Sequence, residues 1–66
     1  MSEFVVRNDV SEKGLKRLHL VQAGERMDIF AMLEKYGIAK ENVKAWLEYE
    51  EEELMIWHLR IYWKEE

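Results

Sequence analysis

From residue 54 to residue 63 the chain alternates with period two, and this run constrains the fold more than any other segment. Met55, Trp57, Leu59, Ile61 and Trp63 fall on one side of an extended backbone and are all apolar. Leu54, Ile56, His58, Arg60 and Tyr62 fall on the other side and are mixed. A strand with one wholly apolar side is core-forming, so it needs neighbouring strands and a second layer against that side.

The neighbouring strands are sought upstream. Phe4, Val5 and Val6 open a β-prone run over residues 4–8, a turn-rich stretch follows over 8–14, and residues 15–22 resume with β-compatible side chains. That is a hairpin pattern. On its second strand Leu18 and Leu20 share a side with Lys16 and Gln22, while Arg17 and His19 share the other with Leu15 and Val21. Gly24 ends the strand.

The covering layer is expected from two helices. Residues 25–36 place Ile29, Phe30, Leu33 and Tyr36 at helical spacing, widened by Met27, Ala31 and Met32. Gly37 stands where a left-handed cap is wanted, and Ile38 can fold back on the last turn. A second helix is expected from about residue 40 to between residues 49 and 53, with Val43, Trp46 and Leu47 on its inner side. Its C-terminal end carries Glu48 and Glu50 to Glu53, charge that opposes the helix dipole and frays it. The expected fold is one α+β domain over residues 1–66, β-β-α-α-β, a small antiparallel-rich sheet with two helices on one face. Phe30, Leu33 and Trp46 would then pack on Met55, Trp57, Leu59 and Ile61.

Composition removes whole classes of function. The 66 residues include no Cys, no Pro and three Gly, which excludes thiol catalysis, Cys-ligated metals and the glycine-rich loops of nucleotide-binding folds. A chain this short buries only about 60% of the surface its unfolded form exposes, so large aromatics must substitute for disulfides. Ser2 and Glu3 follow Met1 where an export signal would carry basic and then apolar residues, and the longest apolar run is only 54–57. A cytoplasmic location away from membranes is expected. His19 and His58 lie on separate strands without ligand spacing, so no metal and no cofactor are expected. Neither the paired glutamates nor Ser2 and Ser11 form a catalytic constellation, and no enzyme is expected.

Two family resemblances enter on residues 20–61. The run Val21, Gln22, Ala23, Gly24, Glu25, Arg26, Met27, Asp28, Ile29, Phe30, Ala31 resembles the opening of a LysM domain. The similarity continues through Tyr36, Gly37 and Ile38, then Val43 and Trp46, and closes at Leu54, Leu59, Arg60 and Ile61. LysM domains are β-α-α-β modules that bind N-acetylglucosamine-containing glycans such as peptidoglycan and chitin. The resemblance implies a glycan site at Gly24, Glu25, Arg26, Trp46, Leu47 and Glu48, although Leu47 stands where the family carries Asn. Residues 33–47, with a turn at Gly37 and apolar Val43 and Trp46, resemble a helix-turn-helix. DNA binding draws on Lys and Arg, however, and the chain has a net charge of −4, so a nucleic-acid partner is not expected.

The remaining reading needs no family. Residues 1–40 hold seven basic and six acidic groups, whereas residues 41–66 hold three basic and eight acidic ones. An acidic half suits a partner with a basic surface. Trp63, Tyr62, Trp57 and Tyr49 exceed what one small core hides; they finish that core, line a homodimer seam or form hot spots for another protein. The lead expectation is a small non-enzymatic binding protein of regulator or inhibitor type, acting through protein–protein contact. Its contact residues are Ile56, His58, Arg60 and Tyr62, on the side of the sheet that two helices cannot cover, together with Tyr49 near the end of the second helix. A homodimer through the same side is expected, with glycan binding and DNA binding as the alternatives.

Overall fold

The computed structural model describes residues 2–65. Its elements run β1 (Phe4–Val10), β2 (Lys16–Ala23), α1 (Ile29–Lys35), a 3-10 turn (Lys40–Asn42), β3 (Val43–Glu51) and β4 (Ile56–Trp63). The strands form one four-stranded sheet in the order β1-β2-β4-β3, and every neighbouring pair is antiparallel. The period-two strand therefore lies in the middle of the sheet, hydrogen-bonded on both sides. Leu18 and Leu20 from β2 face the same way as Leu59, Ile61 and Trp63 from β4, and all five are buried. Met27, Leu33 and Ile38 close the core from above.

The expected second helix does not form. Residues 43–51 are strand β3, so the order is β-β-α-β-β and four strands are backed by one helix and a 3-10 turn. The spacing of Val43, Trp46 and Leu47 fits a helix, but Val, Trp, Leu and Tyr are also strand formers. In the sheet Trp46, Glu48 and Glu50 fall on one side of β3 and Leu47, Tyr49 and Glu51 on the other. A bulge at Lys44 absorbs the register change between Val43 and Ala45. Without β3, β4 would be an apolar edge with unpaired backbone groups, and pairing outweighs the local preference.

The first helix is shorter than its pattern. Asp28 caps it, its Oδ1 accepting from the Phe30 amide at 3.0 Å, so Met27 belongs to the loop before the cap and is buried there. The C-terminal end follows the sequence. Gly37 has φ 68°, its amide donates to the Glu34 carbonyl at 3.2 Å, and the Ile38 amide donates to the Leu33 carbonyl at 2.9 Å. These are the two bonds of a Schellman motif, and Ile38 is buried against the last turn.

Three expected core side chains lie outside the core: Phe30 is 65% exposed, Trp46 is 56% exposed and Met55 is 63% exposed. Phe30 sits on the outer side of a helix that begins later than expected. Trp46 stands on an edge strand, and Met55 belongs to the β3–β4 turn, where it adopts φ 54°. The strand expected from residue 54 starts at Ile56 for the same reason.

Candidate functional site

One helix covers one side of the sheet, and the strand alternation assembles a second surface on the other. Register gives it in rows. Phe4, Val21, His58 and Tyr49 stand side by side across the four strands; Arg7, His19, Arg60 and Leu47 form the next row, then Asp9, Arg17, Tyr62 and Ala45. Ala23, Ile56 and Glu51 close one end. All five contact residues expected from the sequence, Tyr49, Ile56, His58, Arg60 and Tyr62, fall on this surface.

Its centre is ordered by side chains holding one another. The Tyr49 ring stacks on His58 with centroids 4.4 Å apart and planes 5° apart. His19 Nε2 and His58 Nδ1 are 2.8 Å apart, and His58 Nε2 is hydrogen-bonded to Glu51 Oε1. The two histidines that the sequence leaves unlinked are thus one chain with Glu51. With Glu51 ionised, its carboxylate accepts from His58 Nε2–H, and His58 Nδ1 accepts from His19 Nε2–H. A proton added at His19 Nδ1 leaves both bonds in place, because His19 Nε2–H still donates to His58 Nδ1. Burial, then the charges of Arg60, His58 and Arg7, push His19 below its usual 6.5.

Arginines complete the surface. Arg17 grips Asp9 through two bonds of 2.8 and 3.0 Å, and Arg7 reaches the same carboxylate at 3.2 Å. The Arg17 hydrogen bonds hold the Asp9 carboxyl below its ordinary value. Arg60 is less well satisfied. Its guanidinium carbon lies 5.9 Å from the Tyr49 centroid and its Nη2 is 3.5 Å from the Tyr49 hydroxyl. Its Nε is buried and has no acceptor among the described residues. A buried donor without an acceptor costs about 1–3 kcal/mol.

The six positions implied by the glycan resemblance are divided between surfaces. Gly24, Glu25 and Arg26 lie in the loop after β2, and Arg26 is bound by two nitrogens to the Glu48 carboxylate. Trp46 and Glu48 project to the helix side of β3 and Leu47 to the opposite side. The second helix on which both family resemblances draw is occupied by β3. Trp46 instead borders a small apolar groove of about 110 Å³ with Ile29, Phe30, Leu33, Lys40 and Val43. That is below the roughly 300 Å³ at which small-molecule pockets begin.

Among the described residues no three His, Asp or Glu side chains are placed to hold a metal ion, and no helix is long and apolar enough to cross a membrane. Sequence reasoning missed Arg7, Asp9, Arg17, His19 and Glu51 as members of the surface. The alternation of β2 already put Arg17 and His19 on the non-core side, and antiparallel pairing to β4 was the missing step. No family model, no curated protein and no solved structure matches the chain.

Proposed function

We propose that this is a non-catalytic binding protein of regulator or inhibitor type that docks a partner protein on the uncovered face of its sheet. The observation that carries the reading is the Tyr49–His58–His19–Glu51 cluster beside Arg60, an ordered set of aromatic and polar side chains on a face that no described element covers. Tyr and Arg are the residue types in which interface energy concentrates, and side chains already held by stacking and hydrogen bonds lose little freedom on binding. The partner supplies an oxygen acceptor to Arg60 and apolar groups to Tyr62 and Ile56 at the two ends of β4. At longer range the net charge of −4, with Glu50 to Glu53 at the end of the β3–β4 hairpin, steers a partner whose overall surface is basic. A cytoplasmic setting belongs to this proposal. Glycan binding has less support, because Arg26 is tied to Glu48 and Leu47 faces away from Trp46.

Affinity capture from the source cells compares three chains: the wild type, Tyr49→Ala with Arg60→Glu, and Phe30→Ser on the helix side. Capture of a discrete protein by the first and third, reduced at least tenfold in the second, supports the reading. Equal capture by all three contradicts it, as does retention on chitin or peptidoglycan that only Trp46→Ala abolishes.

A further inference from the structure

β1 is an edge strand, and all seven of its residues are exposed, including Phe4, Val5, Val6 and Val10. It is ordered nonetheless, because both ends are fastened. Just before it, the Glu3 carboxylate accepts from Tyr36 Oη at 2.7 Å and pairs with Lys35 at the end of α1. Near its other end Asp9 is held by Arg17 of β2. A strand that is fixed, apolar and open along one side is a template for another strand. The two edges of the sheet differ in how they are guarded. Both edges carry a bulge, β1 at Val6 and β3 at Lys44, but β3 adds Lys44, Glu48, Glu50 and Glu51, whereas β1 has no Lys and no Pro and carries one cation, Arg7, and one anion, Asp9.

The geometry points to a second copy of this chain as the occupant of the β1 edge, through antiparallel β1–β1 pairing with Asn8 on the two-fold axis. Register decides this. A two-fold axis relating adjacent antiparallel strands runs normal to the sheet, so facing residues must project to the same side. Arg7 and Asp9 both project to the uncovered face, Asn8 and Val10 to the helix side. Centring on Asn8 sets Arg7 against Asp9 of the second copy twice over, with the Val6 bulge outside the new ladder. Centring on Arg7 sets Arg7 against Arg7, and centring on Asp9 sets Asp9 against Asp9. Of these three registers the Asn8 one alone is complementary in charge. The product is one continuous eight-stranded sheet with both helices on one side. The two uncovered faces merge into a single surface, so the dimer presents the proposed docking site in duplicate. This inference concerns the edge and stands whether or not a partner docks on the face.

A short ladder centred on Asn8 buries less than the roughly 1,200 Å² of a standard stable interface, so association belongs at micromolar concentrations or above. The chain has no cysteine, which makes the test clean. Asn8→Cys places two thiols on the axis with Cα atoms about 4.5–5.5 Å apart, inside disulfide range. Under mild oxidation at 100 µM it should form a reducible dimer at least tenfold faster than Phe4→Cys or Trp46→Cys, the latter marking the β3 edge. Adding Arg7→Glu, which faces Asp9 with a second acid, should slow Asn8→Cys cross-linking by tenfold or more. The wild type should show a concentration-dependent rise toward twice the monomer mass in sedimentation. Cross-linking at Asn8 no faster than at Phe4, fastest trapping at Trp46, or a wild type that stays monomeric at several hundred micromolar each overturns the inference.

Discussion

The two faces of this sheet are written by the same four strands in alternate residues, yet they are stabilised by different physics. On the helix side Leu18, Leu20, Leu59 and Ile61 are at most 2% exposed, and the hydrophobic effect holds them there. On the other side Asp9–Arg17, His19–His58 and Glu51–His58 hold the surface by hydrogen bonds and charge. The first face should account for nearly all of the stability, since exposed ion pairs contribute only about 0–1 kcal/mol each. The second is free to be spent on contact with another molecule. The difference teaches that, in a chain this small, the side of the sheet left uncovered is where function can reside at little cost to folding.

Substitutions can break or sharpen that contrast. The largest effect is expected at the closed face: Ile61→Ala or Leu20→Ala should destabilise by about 2–5 kcal/mol in urea unfolding followed by circular dichroism, enough to unfold a domain of this size. Glu3→Gln comes next. It weakens the fastening to Lys35 and Tyr36 and should cost about 1–2 kcal/mol. The same contact fixes a pH dependence. Hydrogen bonds from Lys35 and Tyr36 lower Glu3 from 4.5 to about 2, so its contribution is present in full above pH 4.5 and is lost as pH falls towards 2. Tyr36 mirrors it, raised to about 12 by the same carboxylate, which a spectroscopic titration of the phenol reads directly.

On the open face Arg60→Leu should shift stability by no more than about 1 kcal/mol, and upward if anything, because it removes a buried donor that has no acceptor. Loss of partner capture without loss of stability in that variant would separate the two faces most sharply. His19 adds a smaller effect of defined sign. Its folded-state value lies below 6.5, so the unfolded chain binds this proton more readily and stability falls as pH drops through 6.5. An imidazole titration by NMR should find His19 titrating below 6.5. The smallest expected change is a gain: Met55→Gly relieves φ 54° at an exposed turn and should raise stability by about 0.5 kcal/mol.

Much of this contrast is legible in the amino-acid sequence. The alternation of β4 separated Leu59, Ile61 and Trp63 from His58, Arg60 and Tyr62, and the structure keeps that separation, because a strand has only two sides. The hairpin of β1 and β2 was readable from its turn residues, and the end of α1 from Gly37 and Ile38. The second helix is not formed although Val43, Trp46 and Leu47 share a face only at helical spacing, because the unpaired edge of β4, a tertiary fact, draws the segment into the sheet. Phe30 was misplaced with it: a four-stranded sheet leaves one short helix to turn that ring outward. The link between His19 and His58 was not legible at all, since it depends on the diagonal register of β2 against β4 across 39 residues.

The central claim, that the uncovered face rather than the helix side meets the partner, is open to direct trapping. A photoreactive benzoylphenylalanine replaces Tyr62 on the open face in one chain and Phe30 beside the apolar groove in another, and both are irradiated in the source cells. The account predicts a discrete protein adduct from position 62 and none from position 30. The same adduct from position 30, with position 62 silent, would contradict it.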